Sequence, residues 1–188
     1  MKYQDLSKFL LPSGFRGASA LKVQIWWLIQ STFFGLSPQF MYKWRNILLR
    51  LFGAKIGKNV IIRPTVRITY PWKLIIGDNA WVGDNADLYT LGEISIGNNA
   101  VVSQRAYLCT GSHDHTAEGF DIYAKPIVIE DGAWVATDVF IAPGITIGEG
   151  AVIGARSSVF KDMPAGMICI GNPAKPVKKR LEECKRSI

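Results

Sequence analysis

From Ile56 to Leu108 the chain reads IGKNVIIRPTVRITYPWKLIIGDNAWVGDNADLYTLGEISIGNNAVVSQRAYL, and an aliphatic residue returns at every sixth position. The set is Ile56, Ile62, Ile68, then Ile76, Val82, Leu88, then Ile96, Val102, Leu108. After a longer gap it resumes as Ile129, Val135, Ile141, Ile147, Ile153 and Val159. All fifteen positions hold Ile, Val or Leu, which fill only 47 of the 188 places in the chain, so chance explains the pattern poorly. Four residues after the aliphatic the residue is usually small or β-branched, as at Val60, Ala80, Ala100, Ala133 and Ala151. Glycine often follows the aliphatic directly, as at Gly57, Gly77, Gly83, Gly97, Gly148 and Gly154, where a turn needs positive φ or backbones approach closely.

A period of six fits neither a helix nor an ordinary strand. It fits a short strand and a tight turn, three of which close one triangular coil. The hexads group as about five coils starting near residues 56, 76, 96, 129 and 147. Two-residue insertions at 69–74 and 89–94 fall at the same corner and predict one decorated edge. A β-sandwich of short strands is the competing architecture, but it would not hold a six-residue register for so long.

Charge divides the chain into three. Residues 1–55 carry +7, with Asp5 as their one acid, residues 56–171 carry −4 and residues 172–188 carry +4. Basic ends suit an anionic membrane or cofactor phosphates, and no nucleic-acid module is legible. The cysteines Cys109, Cys169 and Cys184 form no CxxC pair, so neither a disulfide framework nor a zinc ribbon is implied. MKYQDLSKF at the start lacks a signal-peptide core, and a cytoplasmic setting is expected. No glycine-rich phosphate loop precedes a helix, which leaves nucleotide hydrolysis unsupported.

Residues 20–54 read as two helices forming an N-terminal arm that ends at residue 55, with Ser37-Pro38 as the N-cap of the second and Gly53 near its end. Two readings of the arm stay open. It caps the open end of the first coil, or it lies on the anionic inner leaflet of a membrane, where Trp and Arg favour the interface. Its apolar run is too short to span a bilayer.

Between Leu108 and Ile129 the register is interrupted by CTGSHDHTAEGFDIYAKPIV, residues 109–128, an excursion holding both histidines of the chain, His113 and His115. Long loops on rigid scaffolds tend to carry function. Cys109 invites a nucleophile reading, but it follows a core aliphatic and reads better as a packed thiol.

The repeat over residues 56–173 resembles the hexapeptide-repeat acyltransferases, and the order of elements is most similar to their sugar O-acetyltransferase branch. The FRG and RPTVRITYPW segments look especially similar to the colanic acid biosynthesis acetyltransferases. The resemblance implies a mainly β chain: a left-handed parallel β-helix with an N-terminal helical arm and a short, basic C-terminal helical tail at 174–188. It further implies acetyl-CoA as acyl donor, a sugar or lipid-linked saccharide as acceptor and a homotrimer. Thr110-Gly111-Ser112-His113 is similar to the family's Thr-Gly-His-Pro exit from the helix with a serine inserted, which makes His113 the implied base and His115 its neighbour near substrate.

The chemistry suits a histidine. A sugar hydroxyl attacks a thioester slowly unless its proton leaves as it attacks, and an imidazole with an ordinary pKa of about 6.5 is able to take it. Coenzyme A leaves well, so direct transfer needs no covalent enzyme intermediate. Asp87 matches the family position that faces the acceptor or orients the histidine. Trp134, Thr137, Ala155 and Lys161 match positions bordering the cofactor, and Phe160 departs from the commoner threonine. Lys178 and Arg180 follow the Asn172-Pro173-Ala174-Lys175 terminus and suit the cofactor phosphates. No metal is expected, since the γ-class carbonic anhydrases on this fold use three histidines. N-acetylation of an amino sugar or antibiotic, or a non-catalytic scaffold, are the competing functions; a pure scaffold needs neither the histidine loop nor the Asn-Pro-Ala-Lys stretch.

Overall fold

The computed structural model describes residues 3–181, which from Lys55 wind into a three-sided parallel β-helix. Face A stacks Lys55–Ile56, Leu74–Ile76, Ile94–Ile96, Ile127–Ile129 and Thr146–Ile147. Face B stacks Ile61–Ile62, Trp81–Val82, Val101–Val102, Trp134–Val135, Val152–Ile153 and Met167–Gly171. Face C stacks Arg67–Ile68, Asp87–Tyr89, Tyr107–Cys109, Phe140–Ile141 and Ser158–Val159. The registers Ile56↔Ile76, Ile62↔Val82 and Ile68↔Leu88 place each hexad aliphatic over its equivalent one coil earlier. All fifteen point inward, none more than 9% exposed, and the small residues four places on are buried beside them. The predicted register is therefore the packing register.

The turn chemistry is divided between two positions. Left-handed backbone falls on Asn59, Asn79 and Asn99, with φ of 54°, 57° and 54°, along the corner joining faces A and B. Asparagine tolerates that region through local hydrogen bonding. The glycines after each aliphatic serve close approach instead. A Cβ on Gly77 would come within 2.7 Å of the Asn98 nitrogen, and one on Gly83 within 2.6 Å of the Gln104 nitrogen.

Two expectations are corrected at the C-terminal end. Face B carries a sixth parallel strand, Met167–Gly171, and Met163 bridges to Ile147, so a partial sixth coil follows the five. The expected helical tail is not a helix over Ala174–Lys179. These residues pair antiparallel with Met167–Gly171, as Pro176 would break a helix and the last rung needs its edge covered. The rest of that tail, 182–188 with Cys184, lies outside the described residues.

At the other end the arm is a cap. Helix α1 (Ala20–Ile29) runs into a π-helical turn, Gln30–Phe34, and α2 (Tyr42–Leu51) follows. The first coil offers three strands with no coil beneath them, and side chains of the arm complete all three. Arg50 donates to the Ile56 carbonyl, Arg45 Nε to Ile62 at 2.7 Å, and Asn46 to Val60 at 2.8 Å. Trp26 Nε1 donates to the Ile68 carbonyl at 2.7 Å, while Gln30 Oε1 accepts from the Ile68 N–H. Arg45 is wholly buried, and its other donors reach Ser37 Oγ and the carbonyls of Pro38 and Gln39. This corrects the Ser37 cap: the guanidinium holds 37–39 out of helix, α2 starts at Tyr42, and Ser37 donates to Phe34. Gly53 follows α2 at φ 99°, as its position suggests.

Candidate active site

The corner joining faces C and A is the decorated edge. The segments 69–73, 90–93 and 110–126 leave the coil there, one above another. Buried threonines fix their bases: Thr90 Oγ1 accepts from the Tyr70 N–H at 2.6 Å, and Thr110 Oγ1 accepts from Gly92 at 2.8 Å. Thr110 Oγ1 also donates to the Tyr89 carbonyl. A Cβ on Gly111 would come within 2.6 Å of Leu91 Cδ1, so the Thr-Gly pair is the footing of the excursion.

Above that footing the excursion is a hairpin, Gly111–His113 against Ile122–Ala124, with His113 opposite Ile122. His113 Nδ1 lies 2.7 Å from the Phe120 carbonyl oxygen, and the two rings stack at 4.3 Å and 8°. A carbonyl only accepts, so Nδ1 carries the proton of the neutral ring and Nε2 keeps its lone pair. His115 is exposed in the following turn. Beside it Thr116 donates twice to Asp114, which holds that carboxyl below the ordinary value.

Residues 5–16 cross the hairpin as a strap, which the sequence reading did not single out. The Asp5 N–H donates to the Glu118 carbonyl at 2.7 Å, and Lys8 pairs with the Glu118 carboxylate at 2.7 Å. The Phe9 ring then stands 6.0 Å from His113 on its way past. Farther on, Trp72 Nε1 donates to the Arg16 carbonyl and Lys73 to Phe15. No periodicity marks such contacts.

Asp87 lies on the second rung of face C, 3.4 Å from Arg67, and burial pushes its carboxyl above the ordinary value while Arg67 pulls it back. Tyr89, Tyr107, Phe140 and Phe160 continue up this face as an aromatic column, ring to ring at 5.8–6.1 Å. Burial pushes the Tyr107 hydroxyl up, helped by the neighbouring Cys109. The Cys109 thiol donates to the Gly111 carbonyl at 3.1 Å. Among the described residues no hydrogen bond joins Asp87 to His113.

The residues matched to a cofactor gather elsewhere, and only in part. Trp134 stands half-exposed on face B, its Nε1 donating to Ser103 Oγ at 2.9 Å, on the wall of an 830 Å³ groove with Trp81, Gln104 and Arg105. Thr137 and exposed Ala155 follow at the corner joining faces B and C, tied by the Arg156 N–H to the Thr137 carbonyl at 2.9 Å. Asp138 there pairs with Arg105 at 2.6 Å and lies 3.8 Å from Arg156, guanidinium groups the sequence reading passed over. Lys161 lies beyond face C, at the edge that bears His113. Lys178 sits opposite Ile168 toward the corner of faces A and B, and Arg180 donates to the Gly132 and Gly150 carbonyls at that corner.

A hexapeptide coil with a histidine hairpin on one edge and a tryptophan groove on another defines a class. The chain belongs to the hexapeptide-repeat acetyltransferases. The family model "Bacterial transferase hexapeptide (six repeats)" matches residues 126–161. A relative from Escherichia coli (strain K12), provisionally named colanic acid biosynthesis acetyltransferase WcaF, is 64% identical over 179 residues, 95% of this chain and 98% of its own. Among solved structures, the maltose O-acetyltransferase of Clostridium difficile 630 aligns with a TM-score of 0.78 and 29% identity, covering 87% of this chain and 90% of that one. A hexapeptide-repeat acetyltransferase of Vibrio cholerae O1 biovar eltor, complexed with acetyl coenzyme A, aligns at 0.79 and 25%, covering 88% and 92%. Alignment at this level requires one hand of coil, which the family resemblance gives as left.

Proposed function

We propose that the chain transfers the acetyl group of acetyl-CoA to a hydroxyl of a saccharide in exopolysaccharide assembly of the colanic acid kind, with His113 as general base. The observation that carries this is the Phe120 carbonyl holding His113 Nδ1, which leaves Nε2 as the free acceptor. Nε2 takes the hydroxyl proton as the sugar oxygen attacks the thioester carbonyl. The carbon–sulfur bond breaks, the ester forms, and the thiolate leaves and recovers the proton from the imidazolium. Asp87 accepts from a sugar hydroxyl, and His115 borders the acceptor.

On the cofactor side, Trp134 borders the acyl end, Thr137 and exposed Ala155 leave room for a chain along the groove, and Lys161, at the edge that bears His113, meets a donor held in another chain's groove. Lys178, and Arg180 through its remaining N–H groups, offer charge to phosphates. Trp134 faces a different side of the prism from His113, so a thioester beside Trp134 does not reach the His113 of its own chain. A homotrimer that sets one chain's groove against the next chain's hairpin joins them. The acceptor is a sugar, free or carried on a lipid, and the setting is cytoplasmic.

Calorimetry with acetyl-CoA tests the donor, with saturable binding near one site per chain expected. His113→Ala is then expected to lower turnover roughly 10²–10⁴-fold with cofactor affinity kept. The same loss in His115→Ala, with His113→Ala active, reassigns the base.

A further inference from the structure

The cap that closes the coil has a second apolar side. Along α1, Val23 and Trp26 face the coil. Leu21, Ile25 and Leu28 recur at i, i+4 and i+7 on the opposite side, and they stand 70%, 43% and 63% exposed. The pattern continues past the helix. Phe33, Leu36 and Phe40 are 61%, 80% and 79% exposed, the first two bounding a 380 Å³ hollow with Met41 and Trp44. On α2, Ile47 and Leu51 are exposed one and two turns after Lys43. A helix apolar all round needs apolar surroundings on both sides, and a patch of this kind marks an interaction surface.

Charge indicates the partner. A hollow of 460 Å³ on the flank of α2 is lined by Lys43, Arg50 and Lys58 beside Ile47. Arg50 is committed to the Ile56 and Gly57 carbonyls, while Lys43 and Lys58 are exposed. The nearby carboxylate Asp78 accepts the Lys58 backbone N–H at 2.7 Å. Residues 1–55 together carry +7.

We propose that the outer side of the cap docks on an anionic lipid bilayer, with Leu28, Phe33, Leu36 and Phe40 entering the interface and Lys43 and Lys58 meeting headgroup phosphates. Aromatic and leucine side chains beside lysines are the chemistry of interfacial helices. Among the described residues no helix is long and apolar enough to cross a membrane, so the contact is with one leaflet. This goes beyond the transfer reaction and stands independently of it.

Sedimentation of the full chain with vesicles tests it, comparing phosphatidylglycerol–phosphatidylcholine mixtures with phosphatidylcholine alone. Pelleting is expected with the anionic vesicles and is lost at high salt. Lys43→Gln and Lys58→Gln each weaken it about fivefold, the worth of one cation at a charged surface. The pair Leu28→Glu and Leu36→Glu abolishes it with the thermal melt unchanged, since both side chains are exposed. Equal pelleting with neutral vesicles overturns the proposal, as does none by a folded chain. If Leu28→Glu instead lowers the oligomer mass of a chain that binds no vesicle, the occupant is a second copy and the lipid reading fails.

Discussion

At Asp87, burial sets a carboxyl on face C against its own ionisation. Burial raises its carboxyl above the ordinary 3.8, and the Arg67 guanidinium only partly offsets this. With the folded-state value above the unfolded one, folding favours the protonated form. The stability it contributes is complete below about 3.8 and is lost as pH rises through the folded-state value. Asp87→Asn is therefore expected to raise the melting temperature at neutral pH, with the two proteins converging in acid. If the carboxylate meets a sugar hydroxyl, the same change lowers kcat/KM roughly ten- to a hundredfold, as for a hydrogen bond to a charged group. Melts and turnover measured together decide. A gain in stability with a loss of activity marks a functional carboxylate, whereas unchanged turnover leaves Asp87 as a partner of Arg67 alone.

At the scale of elements, the hairpin that holds His113 is braced from below by Thr110 and from above by the strap. The strap meets it through Asp5, Lys8 and Phe9 while the coil keeps its own hydrogen bonds. Removing residues 1–10 is therefore expected to lower turnover roughly two- to tenfold, the worth of a lost aromatic contact, with the melting temperature almost kept. A fall in stability as large as the fall in activity would make the strap part of the fold instead. The contrast shows what the sequence could tell. Fifteen aliphatics at one spacing announce the coil because every rung buries the same position. His113 was legible because chain and family motif both place it at the exit from that coil. The strap, the caps of Arg45, Asn46 and Gln30, and the returning strand at Ala174–Lys179 were not legible. Each depends on single side-chain or edge contacts between distant segments, and those repeat nowhere. The glycine positions were legible, but spacing alone could not say whether they served positive φ or close approach.

For the whole molecule, the separation of Trp134 from His113 decides where a site is able to form. Face C and the corner bearing Thr137 and Ala155 lie between them. In a cyclic trimer, each proposed site takes His113 from one chain and the groove from its neighbour. Two inactive variants then repair each other. His113→Ala removes the base, and Ala155→Glu sets a carboxylate against the phosphate-bearing donor at an exposed position. Equal amounts unfolded and refolded together give mixed trimers in three of every four assemblies, each with one intact site of its three. Recovery is expected at about a quarter of the unmodified activity, from two preparations that are each inactive. If each chain holds a complete site, every chain in the mixture lacks one half and no activity returns. A quarter recovered would locate catalysis between chains, and the trimer would then be part of the catalytic machinery rather than only a stable form of it.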